Sequence, residues 1–241
     1  MTNEARTVEV ETPDGPMPLY EAKPADGDAK GAVVVIQEVF GVNGHIQDVT
    51  RRFADAGYHA VAPHIFHRTG SPELGYDDFN QVMPHMAALD DDKILADVDA
   101  ALTYLSEQGW GAAQTGLVGF CFGGRIAFLV GTARPLGAVV GFYGGGIVNA
   151  RFPQFPALIE RAPHMKAAYL GLFGDQDQSI PVEDVERVRT ELANAPVPHE
   201  VVRYPDAGHG FHCDRRPDHY HEASAKEAWA KTLSWFDQHL Q

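Results

Sequence analysis

Gly119-Phe120-Cys121-Phe122-Gly123 sets a sulfur nucleophile between two glycines, with a third at Gly124. A G-x-nucleophile-x-G run carries chemistry when a strand leads straight into it and a helix leaves it, because the sharp turn between them exposes the nucleophile. Both conditions are met here. Thr115-Gly116-Leu117-Val118 reads as the strand, and Ile126, Leu129 and Val130 give the following helix its apolar face. The first amides of such a helix and its positive dipole end favour a thiolate at Cys121 and an oxyanion beside it. The competing reading is a buried structural cysteine ahead of a helix, since free cysteine is often buried.

A thiol nucleophile needs a base, and the base needs an acid to orient it. In a strand-turn-helix site of this kind the order along the chain is nucleophile, acid, histidine. The run Gly174-Asp175-Gln176-Asp177-Gln178-Ser179-Ile180-Pro181 follows an apolar strand and offers two carboxylates where open α/β sheets place their sites. Asp177 is the choice and Asp175 the alternative, and either one can instead cap the next helix. Pro205-Asp206-Ala207-Gly208-His209-Gly210-Phe211 then gives a histidine between glycines in a loop after a late strand, the position of a catalytic base. His64 with His67, or His219 with His221, could pair as metal ligands, but no carboxylate or cysteine spacing completes a site. No metal and no organic cofactor is expected.

The elements that must hold these groups alternate. Residues 7–12 and 17–23 predict a hairpin around Pro13-Asp14-Gly15-Pro16. Ala32–Ile36 is apolar without alternation, the mark of a strand buried on both faces. A helix near 46–56, a strand near 58–62, a helix over 91–107, a strand over 115–119, a helix over 122–131 and a strand over 137–142 follow. Strand 167–173, helix 182–194, strand 199–204 and a helix near 222–239 close the chain. This order predicts an α/β fold with a mostly parallel central sheet and helices on both faces, as one domain over 1–241. Residues 64–85, rich in His, Gly, Pro and Asp, read as a long loop or short excursion over a site.

Composition excludes several classes of function. With 19 basic and 33 acidic residues the formal charge is −14, which repels phosphate backbones and anionic lipid surfaces. No run of about 18 apolar residues predicts a membrane span, and the polar start Met-Thr-Asn-Glu-Ala-Arg lacks the core of a secretion signal. Two cysteines give no disulfide framework, so a reducing, cytoplasmic setting is expected. The expected partner is a small molecule, met by a monomer or weak homodimer.

Gln37-Glu38-Val39-Phe40-Gly41-Val42-Asn43, the Gly-x-Cys-x-Gly-Gly run, Asp177 and Ala207-Gly208-His209-Gly210-Phe211 together resemble the dienelactone hydrolase family, in the same order from about residue 8 to 240. The resemblance implies an α/β-hydrolase fold, a Cys-Asp-His triad and action on cyclic enol esters (carboxymethylenebutenolides). It makes Glu38 a fourth site residue, set against the resting thiol. It also makes the backbone N–H groups of Val39 and Phe122 the oxyanion hole. A glutamate at a strand end can equally point to solvent. A general carboxylesterase, or an idle scaffold that binds a ligand, are the competing functions; the second would be favoured by a missing triad member, and none is missing.

One departure bears on substrate. Family members that bind dienelactone hold its carboxylate with arginines, yet no arginine stands between Arg68 and Arg125 here. Arg68 and Arg216, with Arg215 beside it, remain as anion anchors, against the alternative that all are solvated or paired with acids. Neutral or weakly anionic esters are therefore the expected substrates. Cys213, four residues beyond His209, raises the option of a disulfide with Cys121, although cytosolic disulfides are uncommon.

Overall fold

A computed structural model describes residues 4–25 and 27–241. The expectation about the polar start therefore falls, at residues 1–3, outside the described residues. Eight strands form one sheet in the order β1-β2-β4-β3-β5-β6-β7-β8. β1 (Glu4–Thr12) and β2 (Gly15–Lys23) are an antiparallel hairpin in register from Glu4 opposite Lys23 to Thr12 opposite Gly15. β2 also runs antiparallel to β4 (His59–Pro63). From β4 onward every pairing is parallel, through β3 (Ala32–Ile36), β5 (Thr115–Phe120), β6 (Ala138–Phe142), β7 (Ala168–Gly174) and β8 (His199–Tyr204).

Every residue of β3, β4, β5, β6 and β7 is buried. That is why these strands read as apolar runs rather than alternations: helices cover both faces of a parallel sheet. The helices are α1 (Gly44–Asp55), α2 (Met83–Ala87), α3 (Asp91–Glu107), α4 (Phe122–Ala133), α5 (Val182–Leu192) and α6 (Glu222–His239). α4 is buried from Phe122 to Thr132, as expected of a helix apolar on all sides. α1 starts where the Asn43 side chain accepts hydrogen bonds from the His45 and Ile46 amides, and α3 where Asp90 accepts from Lys93. Among the described residues no helix is long and apolar enough to cross a membrane.

The segment 64–85 is the main departure from expectation. It holds 3-10 turns at His67–Thr69 and Phe79–Val82 and runs into α2. A five-residue helix with proline in its first turn has no periodicity to detect. The segment is tied down where the Leu74 amide donates to the Phe40 carbonyl, 2.9 Å away.

Candidate active site

The parallel strands all point their C-terminal ends to one edge. Glu38 lies just beyond β3, Cys121 just beyond β5, Asp177 just beyond β7 and His209 in the loop after β8. Cys121 takes φ +56° and ψ −112°, a conformation that L residues avoid. The turn is held by its glycines. A Cβ on Gly119 would stand 1.8 Å from the Gly123 carbonyl oxygen, and one on Gly123 would stand 2.5 Å from that of Ile36. The Cys121 amide donates to Phe142 on β6 at 3.0 Å, and its carbonyl accepts from Gly124 at 2.9 Å. Such strain persists only where the surroundings over-determine it.

His209 Nε2 lies 3.1 Å from Cys121 Sγ, and His209 Nδ1 lies 2.6 Å from Asp177 Oδ2. The other Asp177 oxygen accepts from the Ser179 amide at 2.8 Å and from the Ser179 hydroxyl at 2.6 Å. Burial would raise the Asp177 carboxyl, but the His209 and Ser179 hydrogen bonds outweigh it and hold the group below the ordinary carboxylate range. Burial would likewise lower the His209 imidazole. The neighbouring Cys121 sulfur and the Asp177 hydrogen bond overcome that and push it up to about 10. Asp175, the alternative carboxylate, is instead clamped by both ends of the Arg203 guanidinium at 2.8 and 2.7 Å.

Glu38 is 1% exposed, and neither carboxylate oxygen has a hydrogen-bond partner among the described residues. Burial therefore raises its carboxyl above the ordinary range, against the pull of Arg216 and His209. The thiol sits on His209 rather than on Glu38. Cys213 is a free, fully buried thiol, as far as 3.5 Å from the Tyr76 hydroxyl, and burial pushes it up to about 11.

Cys121 and His209 open into a cavity of about 270 Å³, walled by Val39, Phe79, Met86, Phe122, Phe152 and Phe155. Neither Arg68 nor Arg216 is among the residues that line it. Arg68 grips the buried Asp97 with two hydrogen bonds, at 2.7 and 2.9 Å, and Asp14 with a third. A guanidinium so committed has no fork left for a substrate. Arg216 lies over the Phe40 and Tyr76 rings and beside His219. Two other arginines line the cavity, and sequence reasoning missed both: Arg125 and Arg151. Arg125 stands four residues after Cys121, a spacing that sets it one helical turn along α4 and was the available signal. It pairs with Asp91 at 2.6 and 3.2 Å and donates to the Pro156 carbonyl, while its Nε has no acceptor among the described residues. Ser179, also missed, carries a weaker signal: a serine two residues after an aspartate suits an Asx turn.

A model of the dienelactone hydrolase family matches residues 17–240. A Salmonella typhimurium protein named "Putative carboxymethylenebutenolidase" is 42% identical over 227 residues, covering 92% of this chain and 83% of that one. A Bradyrhizobium protein named "Probable 2-oxo-3-(5-oxofuran-2-ylidene)propanoate lactonase" is 31% identical, covering 92% and 89%. A crystal structure titled as a "Putative Dienelactone Hydrolase" from Klebsiella pneumoniae superposes with a TM-score of 0.90 at 36% identity, over 99% of this chain and all of that one. The α/β sheet with its covering helices is thus an α/β-hydrolase fold, and the chain belongs to the dienelactone hydrolase family.

Proposed function

We infer that this protein hydrolyses small lactones or esters through a cysteine acyl-enzyme, with residues 1–241 acting as one hydrolase domain. The observation that carries the reading is the continuous chain from Cys121 Sγ through His209 to Asp177, opening into an apolar cavity. His209 holds the proton of Cys121, and the thiolate attacks the acyl carbon. The carbonyl π electrons move to oxygen, which the Val39 and Phe122 amides stabilise. Collapse breaks the C–O bond, and the imidazolium returns its proton to the leaving oxygen. In a lactone that oxygen stays tethered to the acyl group. Water, deprotonated by His209, then attacks the thioester carbon, and the Cys121 thiolate leaves.

Asp177 keeps the imidazole oriented and compensates its charge. Glu38 lies at the same edge of the sheet, and burial disfavours its charged form. The Asp91 carboxylate already meets the charge of Arg125, and the walls of the cavity are mostly apolar; with Arg151 as the single cation there without a carboxylate partner among the described residues, neutral or weakly anionic acyl groups suit it better than strongly anionic ones. Every group named comes from one chain, and the reaction requires no second copy. Two free thiols, one of them catalytic, suit a reducing compartment, and we place the enzyme in the cytoplasm. The test is trapping. A short aryl ester is mixed with the protein, quenched in acid and read by mass spectrometry, with an acyl adduct expected on Cys121. Turnover without any such adduct in a rapid-quench series overturns the cysteine mechanism.

A further inference from the structure

β6 runs out into Gly144-Gly145-Gly146, and the chain returns at Arg151 to lay its guanidinium flat on that backbone. A Cβ on Gly145 would stand 2.4 Å from Arg151 Cζ, so the stack requires a residue without a side chain. Arg151 also donates to the Ser179 carbonyl, which bridges the loop after β6 to the loop after β7. Behind this bridge is a second cavity of about 180 Å³, with Ile147, Val148, Ile180, Val185 and Val188 among its walls. The two cavities share Gly145, Gly146, Arg151 and Ser179 as lining. The arginine is thus the one long side chain that the two cavities share, and besides its stack on the glycine backbone, its one hydrogen bond among the described residues is to that carbonyl. Among the described residues it has no carboxylate within 4 Å to anchor it, unlike Arg125 with its buried Asp91.

We propose that the second cavity is a subsite for the distal apolar part of a substrate, closed in the resting enzyme by Arg151, which therefore sets the length of substrate accepted. This deepens the hydrolase reading and rests on it. The apolar part of the subsite is aliphatic: branched side chains of the loop after β6 and of α5 line it, alongside Ser179 and an Asp184 and Asn149 that are bonded to each other. It takes an alkyl chain or apolar ring, not a second anionic group. Substrates that fit the first cavity leave the partition shut. Longer ones enter only when Arg151 releases the Ser179 carbonyl and swings toward solvent, where its charge is well hydrated.

The experiment is a chain-length profile on p-nitrophenyl esters from acetate to decanoate, read as kcat/KM for each ester relative to acetate. Wild type should fall off once the acyl chain outgrows the first cavity. Arg151→Ala should extend the profile, gaining about fourfold for each further methylene that enters the subsite. The double variant Arg151→Ala/Ala150→Trp puts an indole into the second cavity from an exposed position and should cancel that gain. Thermal melts of each variant check that the fold is retained. An Arg151→Ala profile identical to wild type overturns the subsite and leaves the hydrolase reading standing. A gain that survives Ala150→Trp means the chain lies elsewhere and overturns it too. A wild type inert to the whole series, with Cys121 unacylated, overturns the hydrolase reading itself and the subsite with it.

Discussion

At the scale of single residues, the site pairs a cysteine on strained backbone with two groups, Asp177 and His209, shifted by their contacts against burial, and a third, Glu38, shifted by burial itself. Cys121→Ala should abolish turnover with the melting temperature nearly unchanged, because a small side chain is lost at a position half open to the cavity. His209→Ala should lower kcat by about 10²–10⁴-fold, the usual range for a positioned general base. An alanine variant at Cys121 with wild-type kinetics sinks the mechanism. Glu38 makes a prediction about stability rather than rate. Its folded carboxyl is raised above the ordinary value of 4.5, so it favours the fold fully at lower pH. That contribution is lost as pH climbs through the raised value. Glu38→Gln cannot ionise, and its stability relative to wild type should grow with pH above 4.5 in urea titrations. Parallel pH profiles for the two proteins would show that Glu38 is not buried in its acid form.

At the scale of elements, the position of Cys121 depends on how closely α4 meets β5 and β3. Gly119 and Gly123 allow that approach, and a methyl at Gly119 would overlap the Gly123 carbonyl outright. The second tie is ionic: Asp91, in the first turn of α3, holds Arg125 on α4 with both partners largely buried. Removing one member of a buried pair strands the other, at a cost of about 3–5 kcal/mol. Asp91→Ala should therefore lower the denaturation midpoint strongly. Asp91→Ala/Arg125→Met should recover most of the loss, because no buried charge remains. A double variant as unstable as the single would mean that the helices, and not the charges, are what Asp91 supports.

For the whole molecule, acid sensitivity has an identifiable source away from the chemistry. His45 and His212 are buried with rings 6.0 Å apart, and His212 stacks on Phe120 at the end of β5. Asp214 comes only within 3.6 Å of His45, beyond a hydrogen bond. Burial lowers these imidazoles to about 4 for His45 and about 3 for His212. The unfolded chain takes up protons first, near 6.5, so stability falls as pH drops below that value. Each group should cost about 2 kcal/mol on going to pH 5. His212→Phe keeps an aromatic ring against Phe120 and should remove about half of the loss from this pair. Equal loss of stability between pH 7 and 5 in the variant would rule His212 out as the cause.

The alternation of apolar runs with amphipathic stretches was enough to determine a parallel sheet, because a strand covered on both faces must be apolar throughout and a covering helix on one side only. α3, β8 and α6 begin and end where patterning places them. The order Cys121, Asp177, His209 was equally legible, since glycine flanks and strand ends are local features. Asp177 was chosen over Asp175 from sequence, yet what separates the two is not local: both follow the same strand, and Arg203, far along the chain on β8, engages Asp175. The cationic lining was not legible. Arg68 drew attention by its place in a loop, yet the fold brings Asp97 and Asp14 to it from distant segments. Arg125 and Arg151 reach the cavity because α4 and the loop after β6 converge there. Local sequence sets backbone conformation and burial; which charges face a cavity depends on contacts between segments that no local pattern records.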